Sequence, residues 1–228
     1  MKKQSKKYEI LKVVVGSQAH GLATPESDYD YRGVFVIPTT ELLKLGGHTE
    51  QTSWIEDKID QTSWEIGHFL NMAVHCNPTI LETFLAPSIP TPIQNANFSM
   101  ELRELFPFVW NSNDVMNAFI GYGRNQRKKF LDNKDNRGAK YATANLRVLY
   151  NAYEILTTGT FSSNMTKTPI FETLKRYRNK EYKMGEVMQT CYDWENKVKE
   201  AFEKNPKKET DLEPVNNFLL KVREKFWV

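Results

Sequence analysis

The sequence predicts an α+β (α/β) protein in which a small mixed-sheet domain is followed by a helical domain. Three observations predict this fold class. Short runs rich in Val, Ile, Tyr and Phe lie within residues 10–64, and apolar residues recur three and four positions apart after residue 111. A stretch with three prolines, residues 87–97, separates the two patterns and is the predicted connection. The length of 228 residues allows two domains, which we predict at 1–100 and 101–228.

Three strands are predicted in the first domain, over residues 10–15, 31–37 and 57–64, because each run is short and bounded by Gly, Pro or polar turns. Residues 18–22 are predicted to form a short helical turn. A helix is predicted from Trp64 onward, because the apolar period changes there, and it should stop before Pro78.

A further short helix is predicted after Pro78. Thr79 is its predicted N-cap, because Glu82 stands three residues later and completes the spacing of a capping box. Five longer helices are predicted beyond residue 111, with Gly, Asn and Pro residues at several of their boundaries. Their predicted ranges are 113–131, 137–158, 169–177, 185–205 and 213–226.

Composition indicates an ordinary water-soluble chain, with 40% hydrophobic and 26% charged residues. No apolar run approaches the roughly 20 residues of a membrane span, and the start lacks a signal-peptide pattern, so we predict a cytoplasmic protein. Cys76 and Cys191 lie far apart, which predicts reduced, packed thiols rather than a zinc site or a disulfide. The net charge is only +3, but positive residues cluster at 2–7 and 124–129. Such clusters can bind phosphate backbones or can simply be solvated surfaces.

Two aspartates stand one residue apart at the start of the second predicted strand. Asp28 and Asp30 should share one face of that strand, with Tyr29 on the other. Neighbouring carboxylates repel, and a divalent cation relieves that repulsion; oxygen ligands favour Mg²⁺ or Mn²⁺. Asp60, on the third predicted strand, is the candidate third carboxylate if that strand pairs beside them. A polar turn over residues 27–30 is the alternative.

The turn after the first predicted strand is the candidate phosphate site. Gly16 and Ser17 offer backbone N–H groups and a hydroxyl with little steric bulk. Gly16 and Gly21 have the spacing of a P-loop, but Leu22 and Ala23 occupy the positions of its Lys and Ser or Thr. A P-loop is therefore excluded.

The combination of G-S-x-A-x-G, S-D-x-D and R-G-V resembles the signature of the DNA polymerase β-like nucleotidyltransferase superfamily. It is most similar to the group of predicted nucleotidyltransferases that includes the RNA-ligase-associated type. Further matching segments lie downstream. They are I-D-x-x-x-W-E-x-x-x-F-L at 59–70, N-P-T-I-L-E at 77–82, G-Y at 121–122, K-Y-x-x-x-x-L-R at 140–147 and T-G at 158–159.

The resemblance implies a role for each matching residue. Gly16, Ser17 and His20 are implied to bind nucleotide phosphates. The implied catalytic residues, which also bind two Mg²⁺ or Mn²⁺ ions, are Asp28, Asp30 and Asp60.

Lys140 and Arg147 stand seven residues apart on one predicted helix face, and they are further nucleotide-binding candidates or else surface charges. Arg32 and Glu65 are left out of the catalytic set. Arg32 can pair with a carboxylate, and an acidic residue such as Glu65 is favoured at a helix start in any case.

The implied activity is that of a transferase of the EC 2.7.7 type, which moves a nucleoside monophosphate from an NTP such as ATP to a hydroxyl and releases pyrophosphate. An RNA end is the predicted acceptor, as in RNA repair. A protein side chain or a small molecule, as in toxin- and antibiotic-modifying relatives, is an alternative acceptor. A non-catalytic nucleotide-binding or interaction module is the alternative of a different class. The presence of all three carboxylates favours catalysis.

Overall fold

The structure is a computed structural model that describes residues 6–46, 51–56, 59–91 and 96–228. A four-stranded mixed sheet and a larger set of helices confirm the predicted α+β class. The strands, in chain order, are β1 (Glu9–Val15), β2 (Tyr29–Phe35), β3 (Gln51–Glu56) and β4 (Ile59–Glu65).

The sheet has the order β1-β2-β4-β3. β2 runs antiparallel to β1 and parallel to β4, while β3 and β4 are antiparallel neighbours. β2 begins two residues earlier than predicted, and β3 was not predicted. The predicted strand at 57–64 is observed as β4, and its first two positions lie outside the described residues.

The helices largely follow the predicted order. In the N-terminal half they are α1 (Gly16–His20), α2 (Thr39–Leu42), α3 (Ile66–Val74), α4 (Pro78–Leu85) and α5 (Ala96–Glu104). In the C-terminal half they are α6 (Ser112–Asp132), α7 (Gly138–Thr158), α8 (Phe171–Arg178), α9 (Met184–Lys204) and α10 (Leu212–Lys225). α2 and α5 were not predicted, whereas the five helices after residue 111 are confirmed with ends shifted by at most two residues.

The predicted capping box of α4 is wrong. The observed N-cap is Asn77, whose side-chain oxygen accepts hydrogen bonds from the backbone of Thr79 and Ile80, with Pro78 in the first turn. Thr79 therefore lies inside the helix. The side chain of Glu82 points elsewhere and is fully engaged in the site described below.

A single hydrophobic core runs from the sheet into the helices. Ile10, Leu11 and Val13 of β1 are fully buried in it. The backbone after α4 lies along the outer edge of β1, because Val14 donates to Pro87 O and Ile89 donates to Lys12 O. This part of the predicted connection therefore covers a sheet edge that would otherwise expose unpaired backbone groups.

The C-terminal helix packs back onto the N-terminal half. Arg223 of α10 forms a two-pronged ion pair with Glu65, at 2.7 and 2.9 Å, and Thr39 donates its backbone N–H to Phe226 O. Glu65 also caps α3 by accepting from the N–H of Gly67. Glu65 is thus committed to holding these helices, which agrees with its exclusion from the catalytic set. The predicted domain boundary at residue 100 stays a prediction.

Both cysteines, Cys76 and Cys191, are free and buried, as predicted. Burial raises the pKa of each thiol to about 12. In the described part of the chain, no helix has the length and apolar character needed to cross a membrane.

Candidate active site

The turn between β1 and α1 places the backbone of Gly16 directly against Asp30. Val15, the last residue of β1, pairs with Asp30 across the antiparallel ladder. Gly16 has a φ of +67°, and a Cβ at this position would overlap Oδ2 of Asp30. Only glycine combines that conformation with so close an approach. Ser17 follows in the first turn of α1.

The three candidate carboxylates lie at or just before the N-terminal ends of β2 and β4. Asp30 and Asp60 are direct partners in the parallel ladder between these strands. Asp28 is exposed and precedes β2 by one residue, so the prediction that it lies within the strand is wrong, while its place beside Asp30 is kept. Arg32 lies 3.8 Å from Asp60, between its guanidinium and Oδ1, as expected for a residue that pairs with a carboxylate.

The surroundings of Asp30 shift its pKa in the folded protein. Burial raises the pKa of Asp30 above its ordinary value, Arg32 and Lys140 oppose this effect, and the nearby charges of Asp60 and Asp28 add to it. The charged form of Asp30 is therefore costly in the folded protein. A carboxylate kept in such a place is typical of functional sites.

One cleft of about 540 Å³ contains every predicted site residue. Its floor is the end of the sheet, and its opposite wall is formed by α6, α7 and the end of α8. The predicted residues that line it are Gly16, Ser17, His20, Asp28, Asp30, Asp60, Lys140 and Arg147.

A buried network joins the two sides of this cleft at Glu82. One oxygen of Glu82, Oε1, accepts from His20 Nε2 at 2.6 Å and from the guanidinium of Arg147 at 2.9 Å. Although burial opposes ionisation, Arg147 and His20 lower the pKa of Glu82 to about 2. Burial and then Arg147 lower the pKa of His20, so the imidazole is neutral at pH 7 and its Nε2 carries the donated proton.

Glu82 is the residue that the sequence reasoning misplaced. Its partners stand 62 and 65 positions away in the chain, on α1 and α7. The sequence instead predicted a local role for Glu82, in a capping box with Thr79 three residues earlier. The signal that could have identified it is the N-P-T-I-L-E match, which ends at Glu82.

The helical wall of the cleft contains residues that were not predicted. Tyr122, Gln126 and Lys129 line it from α6, where their spacing of four and three places them on one face. Lys140 and Arg147 line it from α7 at the predicted spacing, and Arg178 closes it from α8. Arg178 is the last residue of α8. The sequence predicted no cleft residue in that helix.

The three aspartates offer the kind of oxygen ligands that a hard divalent cation prefers. Asp28, Asp30 and Asp60 supply only carboxylate oxygens, and Asp30 with Asp60 shows the like-charge strain that such a cation relieves. Across the described residues, no three His, Cys, Asp or Glu side chains stand close enough together to form a metal site. The sharing of ions among the three aspartates is therefore a proposal rather than an observed geometry.

Comparison with known proteins identifies the family. The sequence profile of RlaP, the RNA repair pathway DNA polymerase beta family, matches residues 1–220. The chain belongs to this family. It is therefore related to the polymerase β-like nucleotidyltransferases, which generally use divalent metal ions.

Two individual proteins are similar to the chain at lower levels. An Enterobacteria phage T4 protein, described as an uncharacterized 38.9 kDa protein in the nrdC-mobD intergenic region, is 25% identical over 134 residues. This match covers 53% of the chain and only 38% of the phage protein. A crystal structure of a nucleotidyltransferase-like protein from Exiguobacterium sibiricum 255-15 has a TM-score of 0.33 and 9% identity, covering 98% of this chain and 77% of that one. A TM-score this low carries no argument.

Gly16→Ala is expected to lower nucleotidyl transfer by about 10- to 100-fold, because the new methyl group must displace the Asp30 carboxylate. Gly46→Ala is the matched control, since Gly46 has a similar φ of +77° and open space around its missing Cβ. Both variants should lose about 1 kcal/mol of stability from backbone strain. Equal activities for the two variants, measured by initial rates at saturating NTP, would contradict the role given to Gly16.

Proposed function

We propose that the protein transfers a nucleoside monophosphate from an NTP to a hydroxyl group at an RNA end and releases pyrophosphate. One observation supports this proposal above the others. The Gly16-Ser17 turn, the carboxylates of Asp28, Asp30 and Asp60, and a cationic helical wall all line the same cleft. A nucleotide phosphate chain needs small backbone donors, acidic ligands for its cation, and positive charge at close range.

Each group has a proposed part in the reaction. The backbone N–H groups and the hydroxyl of the Gly16-Ser17 turn bind and orient the phosphates. Asp28, Asp30 and Asp60 hold two Mg²⁺ or Mn²⁺ ions, which, when bound, neutralise phosphate charge and acidify the attacking hydroxyl.

The transfer forms one bond and breaks one. The acceptor oxygen bonds to the α-phosphorus while the bond from that phosphorus to the bridging oxygen of the β-phosphate breaks. The proton of the acceptor hydroxyl passes to Asp60, whose side chain is 44% exposed. Pyrophosphate leaves with the bond electrons, so the step needs no further reactant.

RNA is proposed as the acceptor on two grounds. The family to which the chain belongs is described as an RNA repair pathway family. Lys129, which belongs to the positive cluster of α6 at residues 124–129, lines the cleft.

Labelling with each α-³²P NTP tests the proposal. The purified protein is incubated with Mg²⁺ or Mn²⁺ and a mixed pool of small RNAs and cell proteins. The expected result is label on RNA with at least one NTP, absent with the Asp28→Asn/Asp30→Asn variant. Asp132→Asn/Asp193→Asn is the matched control, because it removes the same charge from two exposed positions outside the cleft.

Other outcomes reject parts of the proposal. Label on a protein band or a small molecule would mean that this molecule, rather than RNA, is the acceptor. Failure to label anything, combined with NTP binding that raises the unfolding temperature, would favour a non-catalytic nucleotide-binding module.

A further inference from the structure

The positive charge of the cleft is distributed unevenly. Arg147 is paired with Glu82, and Arg32 lies beside Asp60, so the charge of each is offset by a carboxylate. Lys129 and Arg178 line the same cleft, and neither forms an ion pair within the described part of the chain, whereas Lys140 lies close enough to Asp30 for its charge to act on that carboxylate. The uncompensated charge of the helical wall therefore lies at Lys129 and Arg178.

An aromatic cluster fixes the helices that carry two of these cations. The ring of Tyr182 lies 5.7 Å from that of Phe130 on α6 and 5.6 Å from that of Tyr177 on α8. Tyr177 is fully buried. Lys129 and Arg178 are the chain neighbours of Phe130 and Tyr177. The two cations thus belong to helices that are packed together through one core cluster.

Gln126 adds a polar group to the same wall. The residue is only 7% exposed, it lines the cleft, and its carboxamide has no hydrogen-bond partner among the described residues. A carboxamide can donate and accept at once, which matches the edge of a nucleobase. The rings of Tyr122 and Tyr141 line the cleft nearby, and Lys129 Nζ lies 5.8 Å from the ring centre of Tyr141.

We propose that Lys129 and Arg178 form a second phosphate-binding site, which holds the backbone of the acceptor RNA while Gln126 contacts an adjoining base. Positive charge combined with aromatic rings and a free amide is typical of sites for single-stranded RNA. The phosphates of the NTP have their own donors at the Gly16-Ser17 turn, which lies against Asp30. This inference rests on the proposed function in taking RNA as the acceptor.

RNA binding without any NTP tests the site apart from catalysis. The probe is a fluorescein-labelled single-stranded RNA of about ten nucleotides, a length within the range of single-strand sites. The variant is Lys129→Gln/Arg178→Gln, which leaves Lys140 in place. The control is Arg124→Gln/Lys128→Gln, which removes the same charge from exposed positions of α6 that do not line the cleft.

We expect the Lys129→Gln/Arg178→Gln variant to bind this RNA about tenfold more weakly by fluorescence anisotropy, because two charge-assisted contacts are lost. The slope of log Kd against log salt concentration should fall by about 1.4 for two lost phosphate contacts. The control should change both quantities much less. The rise in unfolding temperature caused by each NTP should remain as in the unsubstituted protein.

Three results would overturn the site. The first is RNA binding that is unchanged in the variant, and the second is an equal loss in the control. The third is a loss of NTP binding with RNA binding kept, which would assign the cations to the triphosphate instead. Absence of nucleotidyl transfer, with RNA binding still dependent on this pair, would refute the proposed function and support the site.

Discussion

Asp30→Asn is expected to abolish nucleotidyl transfer while leaving the protein as stable as before or slightly more stable. Activity should fall by about a thousandfold or more, because the substitution removes a charged oxygen ligand for the ions. The free energy of unfolding should stay the same or rise slightly. The pKa of Asp30 is raised by burial and by Asp60, so ionising it opposes folding at all pH values above its ordinary pKa. Asparagine has nearly the same shape as aspartate but carries no charge, so the free-energy cost of ionisation is removed.

The two measurements are the initial rate with labelled NTP and the urea midpoint at pH 7. Asp132→Asn is the control, because Asp132 is exposed and lies outside the cleft; its rate and midpoint should stay near those of the unsubstituted protein. A large fall in the urea midpoint of Asp30→Asn would indicate a structural aspartate. A rate that stays within tenfold would show that Asp30 is not needed as a ligand.

The sheet part of the site was predictable because its pattern is local. A glycine turn after a strand and two alternating aspartates can be recognised within residues 16–30. β3 was missed because its sequence, Q-T-S-W-I-E, is mostly polar and belongs to an edge strand. α5 was missed because it follows the proline-rich stretch and few of its residues, such as Phe98 and Leu102, are apolar and buried.

The helical wall was only half predictable. The seven-residue spacing of Lys140 and Arg147 indicates a shared face, and both residues do line the cleft. Nothing in the spacing indicates that Glu82 neutralises Arg147, because that pairing spans 65 positions. Arg178 is similarly distant in sequence. Long-range packing therefore determines which cations of the cleft remain available to a ligand.

Glu82→Gln is expected to cost about 3 kcal/mol of stability, because it leaves the guanidinium of Arg147, with 14% of its side chain exposed, without a counter-charge. For a chain of this length, that cost should lower the unfolding temperature by roughly 6–12 °C. Activity should also fall, by about 10- to 100-fold, because the neutral carboxamide orients His20 and Arg147 less firmly than the charged carboxylate oxygen that both now share.

Glu195→Gln separates these two effects. Glu195 is also buried and accepts from Arg127 at 2.7 Å, but it does not line the cleft. Both variants should lose stability, and only Glu82→Gln should lose activity when each is assayed well below its unfolding temperature. Equal activities for the two variants would mean that the Glu82 network stabilises the fold but has no role in activity.

The pH dependence of stability gives an independent measure of the charge on Glu82. Its pKa in the folded protein is about 2, below the ordinary value of 4.5, so its contribution is fully present above pH 4.5 and is lost as the pH falls toward 2. The difference in unfolding free energy between the unsubstituted protein and Glu82→Gln should therefore be constant from about pH 6 to 8 and shrink below about pH 4.5. A difference that instead falls as the pH rises from about 4.5 to 8 would mean that Glu82 is protonated in the folded protein. Arg147 would then keep its full positive charge for phosphate and would add to the uncompensated charge of the helical wall.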